Sequence, residues 1–189
     1  MRAESVESKR YSAVAIILHW LITAFIVVNL IIGWIHDDIP RDIRRDVMAV
    51  HMSIGLTVLM LSVLRVLWRL INRPPPLASS LAPWERGLAH LVHFALYAFM
   101  FLMPLSGWIM QSTRAPARPI LFWGLQFPQF PLPEIDPASL KLLHNNAGWA
   151  HELLGYGFAA LIVLHVAGAL KHQFIDRHPE LQRMLPFLR

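Results

Sequence analysis

Four unbroken apolar stretches constrain this chain more than anything else in it. They run from Ala13 to Ile35, Val47 to Ile71, Leu88 to Met110 and Ala147 to Leu170. Each exceeds the roughly 20 residues that a helix needs to cross about 30 Å of hydrocarbon. None alternates apolar with polar residues as a strand would, and a barrel needs many short strands, so all four are expected to be helices. The composition agrees with this. Charged residues make up 15% of the 189 residues and mean hydropathy is +0.46, whereas soluble domains average roughly 25% charged residues. With no cysteine, a disulfide scaffold is excluded. The expected fold class is all-α: an integral membrane four-helix bundle, one domain spanning residues 1–189.

Charge sets the expected orientation. The polar start MRAESVESKR is followed by an apolar run too long for the core of a cleaved signal, with no A-x-A site after it, so the first span is expected to remain. With the N-terminus inside, eleven of the 17 Lys and Arg residues fall on the inner side. The other six, Arg41, Arg44, Arg45, Arg114, Arg118 and Lys141, fall outside. The positive-inside rule then places both termini in the cytoplasm. Trp34, Trp108 and Trp149 mark the outer interface, and Trp68 and Trp84 the inner one. The inner loop Asn72–Pro83 is short and proline-rich. The outer loop Gln111–Asn146 is the longest, and a short surface helix is expected in it around Pro137–His144. The sequence pI of 10.2 fits arginines that reach lipid headgroups at span ends; no nucleic-acid fold signature is present.

Histidine carries the functional argument. His19, His51, His90, His93, His151 and His165 all lie within spans, where an ionisable side chain is costly and usually faces the bundle interior. His151 and His165 stand 14 residues apart on the fourth span. They therefore share a face to within about 40° and are separated by ~21 Å along the axis. Alternating helix direction puts His19 at the depth of His165, and His51 at the depth of His151. Two pairs of imidazoles at two depths follow. A haem b iron takes one imidazole on each axial side. Two such ligands leave no open iron position, which suits electron transfer, and without cysteine no thioether-linked haem can form. Gly55, Gly155 and Gly168 follow three of these histidines by one helical turn, where small residues let a flat macrocycle approach.

Rival readings stay open at this point. His90 and His93, three residues apart in the inner half of the third span, share the depth of His19 and can replace it as ligand, contact haem propionates or a quinone, or simply bridge helices. Zinc prefers four clustered ligands, and these histidines are split between depths. A proton relay through His151, Glu152, His90 and His93 is a further alternative. Arg65 and Arg69, at the inner end of the second span, can pair with propionates or with lipid phosphate.

The stretches ILHW around His19, VHMSIG around His51, GLAHLVHFALY around His90 and His93, WAHELLGYG around His151, and LHVAGALKHQF around His165 and His172 resemble the bacterial cytochrome b561 family, of the superoxide oxidase type. The likeness runs from about Tyr11 to Pro186. It implies a four-helix, diheme cytochrome of the bacterial inner membrane, with His19 and His165 on one haem iron and His51 and His151 on the other. It also implies electron transfer from periplasmic superoxide to membrane ubiquinone, with the quinone near the inner haem, close to Lys171 and His172. The six outer cations can steer superoxide, although Asp37, Asp38, Asp42 and Asp46 offset the first cluster. Similar cytochromes serve as membrane subunits of hydrogenases and dehydrogenases, so a haem-bearing relay fed by a redox partner protein is the alternative. A haem-free metal or proton transporter is the alternative of another class.

Overall fold

The computed structural model describes residues 10–76, 81–177 and 181–185. Four long helices account for most of them: α1 (Ala13–Trp34), α2 (Arg41–Ile71), α3 (Pro83–Ser112) and α4 (Pro137–Leu170). All four are long and apolar enough to cross a membrane. A two-stranded hairpin, β1 (Ile120–Phe122) and β2 (Leu125–Phe127), lies between α3 and α4. After α4 the chain makes one π-helical turn, Lys171–Ile175, and a short 3-10 turn, Leu181–Arg183.

The helix starts follow local chemistry. Ser12 accepts a hydrogen bond from the Ala15 amide and caps α1. Pro83 sits in the first turn of α3, where its missing N–H costs nothing, and the Glu85 carboxylate accepts from the Ala82 amide. Asp136 caps α4 through the Ala138 and Ser139 amides. That cap corrects one expectation. The short surface helix expected around Pro137–His144 is not separate, because no breaker lies between it and the fourth span, and the two form one helix of 34 residues. Likewise α2 begins at Arg41, ahead of its apolar stretch, with Arg44 tied back to the Asp37 and Ile39 carbonyls. The long loop holds a hairpin that no periodicity announced.

The helices pack in chain order. α3 packs most extensively on α4, α1 on α2, and α2 bridges to α3, whereas α1 and α4 touch at few points. The centre is apolar and small: Ile22, Ile54, Val58, Met100 and Phe158. Hydroxyls inside the bundle turn back on their own helices, as Ser62 does to the Val58 carbonyl and Thr23 to that of His19. Ile17, Leu67, Leu91 and Val163 point outward and are exposed, as lipid-facing residues must. Two ends can be distinguished. The terminal end carries Ala13, Ile71, Pro83 and Leu170; the hairpin end carries Trp34, Arg41, Ser112 and Pro137.

Close approach of α3 and α4 depends on Gly157, where an added Cβ would stand 2.9 Å from Phe99 Cε1. Overpacking of this kind costs about 1–3 kcal/mol. Gly157→Ala is expected to lower the thermal midpoint of the detergent-solubilised protein, and adding Phe99→Leu should recover part of the loss. Equal midpoints for Gly157→Ala and wild type would show that this contact is not tight.

Candidate functional site

The fold brings four of the six span histidines together as two pairs on facing helices. His19 of α1 meets His165 of α4 with ring centroids 6.3 Å apart and planes at 76°. His51 of α2 meets His151 of α4 at 6.1 Å and 74°. These are the pairs that depth alone suggests. Imidazole nitrogens bind first-row metals at about 2.0–2.1 Å and lie about 1.1 Å from their ring centre, so two rings on opposite sides of one ion stand about 6.2 Å apart. Both separations fit that distance. The pair His93 and His165 does not, because its centroids are only 5.2 Å apart. His93 lies at the edge of the terminal-end pair, within electrostatic reach of Arg65 and Arg69. His90, one turn earlier on α3, is exposed.

At the hairpin end, α3 positions His151. Its Nδ1 lies 3.0 Å from the Met103 carbonyl and 3.0 Å from Ser106 Oγ, and the Ser106 hydroxyl donates to the same carbonyl at 2.7 Å. A carbonyl can only accept, so Nδ1 carries the proton and Nε2 is left as a free ligand atom. An added Cβ at Gly107 would stand 2.9 Å from His151 Cε1, so only glycine leaves the ring this position. His51 is held differently. It lies beside α1, where a Cβ at Gly33 would be 3.5 Å from its Cε1. Among the described residues, His51 Nδ1 and Asn29 Oδ1 are buried without a hydrogen-bond partner. A buried polar atom without a partner is costly, and both atoms offer hydrogen bonds to a bound group.

At the terminal end the unusual feature is positive charge. Arg65 Nε donates to Tyr97 Oη at 3.1 Å, and the guanidiniums of Arg65 and Arg69 lie 5.7 and 5.6 Å from the Tyr97 ring centre. Among the described residues neither pairs with a carboxylate. Arg65 is within electrostatic reach of His19 and His165. Two cations without counter-ions beside paired imidazoles suit a ligand that brings carboxylates. The glycines divide. A Cβ at Gly168 would meet nothing within 4 Å, which leaves room beside His165, whereas Gly155 faces Met103 and Gly55 faces Asn29.

Lys171 and His172 belong to a separate cluster. Lys171 Nζ donates to Glu85 Oε1 and to Asp176 Oδ2, both at 2.7 Å, and His172 Nδ1 lies 2.7 Å from Asp176 Oδ2. The Lys171 hydrogen bond first, and that of His172 second, hold the Asp176 carboxyl below its ordinary value of 3.8. Glu85, His172 and Asp176 are the one three-residue group of possible metal donors among the described residues, and Lys171 already supplies it with a cation. Among the described residues no four-ligand zinc cluster forms. The relay through His151, Glu152, His90 and His93 is not assembled either: Glu152 and His90 are exposed, and His151 and His93 belong to opposite ends. Sequence reasoning missed Ser106, Gly107 and Asn29 as neighbours of His151 and His51, and Glu85 and Asp176 as partners of Lys171. The run PLSG at 104–107 was the available signal, a proline and small residues inside a span.

Paired imidazoles at two levels of a four-helix membrane bundle define a frame of the membrane cytochrome kind. Residues 10–187 match the prokaryotic cytochrome b561 family, and the chain belongs to that family. It is 33% identical to cytochrome b561 homolog 2 of Escherichia coli K12, over 94% of this chain and 92% of that protein. It is 26% identical to the probable superoxide oxidase CybB of Yersinia pestis, over 94% of this chain and 97% of that protein. Cytochrome b561 homolog 1 of E. coli K12 is 25% identical over the same shares. The chain is thus a multi-pass electron-transfer protein of the bacterial inner membrane, of a family that binds haem b.

Gly107→Ala is expected to lose haem on a pyridine haemochromogen assay, because the new methyl displaces the His151 ring. Gly148→Ala, whose Cβ would meet only the flexible Met110 side chain at 3.4 Å, should keep it. Equal haem in both variants would refute the steric argument. The Asp176 network has its own pH signature. A carboxyl with a lowered folded pKa contributes stability above its unfolded value, and that contribution is lost as pH falls through the folded value. The midpoint difference between wild type and Asp176→Asn should therefore be constant above pH 3.8 and shrink below it.

Proposed function

We propose that this protein carries two haem b groups and transfers electrons from superoxide to ubiquinone, with the hairpin end facing the periplasm and both termini in the cytoplasm. His19 and His165 would hold one iron, and His51 and His151 the other. The observation that carries this reading is the pair of ring separations, 6.3 and 6.1 Å, each of the size that one ion between two imidazoles requires. Haem b held by these histidines would supply reversible one-electron chemistry.

The chain's own residues supply the rest. The Met103 carbonyl fixes the His151 tautomer and heading, and Arg65 and Arg69 offer charge to propionates beside His19 and His165. His93 stands at the edge of that pair, its ring 5.2 Å from that of His165. At the hairpin end, Arg41, Arg45, Arg114, Arg118 and Lys141 are exposed and can raise the local concentration of a small anion. Arg44 is committed to backbone carbonyls and drops out of that group. At the terminal end, Lys171, His172, Asp176 and Glu85 form a hydrogen-bonded set that can hold a proton between His172 Nδ1 and Asp176 Oδ2. Two superoxide anions and two protons convert one ubiquinone to ubiquinol and release two dioxygen molecules, so the electrons and charges balance. The relative named a probable superoxide oxidase supports superoxide as donor, and family membership sets aside the haem-free transporter.

The test begins with haem stoichiometry and a reduced-minus-oxidised spectrum of the purified chain. Two low-spin b haems are expected, falling to about one in His51→Ala and in His19→Ala. Enzymatically generated superoxide should then reduce a soluble ubiquinone analogue with wild type and with neither variant. Two haems persisting in His51→Ala would overturn the ligand assignment. A fully loaded protein inert toward superoxide would leave the partner-fed relay as the function.

A further inference from the structure

The hairpin of β1 and β2 does not sit on top of the bundle; it runs down its side. The level of the hairpin-end histidines can be read from three helices. His51 lies against Gly33, next to Trp34 on α1, and His151 lies against Gly107, next to Trp108 on α3. Trp149 precedes His151 on α4 by half a turn. These tryptophans form a ring at one level, with Trp34 and Trp149 facing outward. Such rings mark the boundary between hydrocarbon and headgroups.

The hairpin tip lies below that ring. Ser53 and Thr57 follow His51 along α2 toward the middle of the bundle, about 3 and 9 Å deeper at 1.5 Å per residue. The Trp123 amide donates to Ser53 Oγ at 3.0 Å, and its indole Nε1 donates to Thr57 Oγ1 at 3.1 Å. The Ser53 hydroxyl in turn lies 3.2 Å from the Leu121 carbonyl. The upper end stays at the level of the ring, where Trp108 packs on Phe127 and Phe130 and donates to the Pro128 carbonyl. Ser53 and Thr57 lie on the face of α2 turned about 160° and 120° from His51, so the hairpin covers the back of α2, away from the histidine pair.

We propose that this hairpin is a re-entrant element seated in the outer leaflet against α2, with Trp123 and Leu125 in contact with lipid acyl chains. A sheet edge in hydrocarbon normally costs too much, because its outward N–H and C=O groups have no water. Here the edge is minimal. Phe122 pairs with Leu125 across a two-residue turn, so within the strands the alternation leaves only Leu121 and Gln126 with outward backbone groups, and the turn adds the Trp123 carbonyl and the Gly124 amide and carbonyl at its tip. The Ser53 hydroxyl, whose proton is shared with the Ala49 carbonyl at 2.8 Å, reaches the Leu121 carbonyl at 3.2 Å, and Gln126 lies toward the upper end. The turn residues Trp123 and Gly124 both have positive φ, 49° and 88°, as a tight hairpin of this kind requires. A bulky residue rarely adopts that conformation, and the two bonds to α2 hold Trp123 in it. Trp123 and Leu125 are 53% and 71% exposed; an apolar tip at this depth meets hydrocarbon.

The absence of cysteine makes a clean test possible. Single-cysteine variants Leu125→Cys, Ala117→Cys and Val163→Cys would carry a nitroxide label in liposomes of the haem-loaded protein. Ala117 is an exposed loop position that reports water, and Val163, exposed in the middle of α4, reports lipid. The label at 125 should collide severalfold more with oxygen than with a water-soluble nickel chelate, as at 163, and resist a membrane-impermeant maleimide before labelling. Adding Ser53→Ala should move it toward the behaviour of 117. A label at 125 that behaves like 117 in the parent variant overturns the proposal. So does a label shielded from both reagents, which would mean contact with a second protein chain. An unchanged haem spectrum in each variant confirms that folding is intact.

Discussion

Hydrocarbon offers no hydrogen bonds, and every polar side chain inside this bundle is disposed according to that constraint. Hydroxyls fold back on their own carbonyls. His151 Nδ1 is satisfied by a carbonyl and a hydroxyl of the neighbouring helix. Arg65 and Arg69 gather around one tyrosine. The atoms left over, above all His51 Nδ1 and Asn29 Oδ1, adjoin one of the histidine pairs.

The two ends are built differently on the same plan. At the hairpin end His151 is fixed by close backbone approach, through Gly107 and the Met103 carbonyl. At the terminal end the paired rings are surrounded by charge: two arginines on α2, a third histidine on α3, and beyond them the set of Lys171, Glu85, His172 and Asp176. The first environment is suited to a rigid redox site near an aqueous surface. The second has both cations and proton-holding groups. Low stability cost accompanies neither arrangement by itself; α3 and α4 can position these groups because their packing is tight, with Gly157 against Phe99.

The long loop has two roles in this arrangement. Its proline-rich parts carry exposed cations around the hairpin end, while its central hairpin lies along α2 and satisfies two hydroxyls on that helix's outer face. Ser53 is two residues from His51, so the hairpin braces the back of the helix whose front carries the ligand.

The sequence by itself determined the number of spans and the presence of paired imidazoles at two depths. Helix rise and chain direction are enough for that, because a span fixes depth to within a turn. It left His93 level with His19 and unable to be told from it, since depth says nothing of rotation; only the packed helices put His93 within 5.2 Å of the His165 ring and His19 at a metal-spanning distance. A helix at Pro137 was legible, but not that it runs unbroken into the fourth span, nor that the loop forms a hairpin, because a three-residue strand has too few positions to show a period. The neighbours of His51 and His151, namely Asn29, Ser106 and Gly107, and the partners of Lys171, Glu85 and Asp176, were decided by tertiary structure alone. Their contacts join residues far apart in the chain, and nothing local records which helix face will meet which.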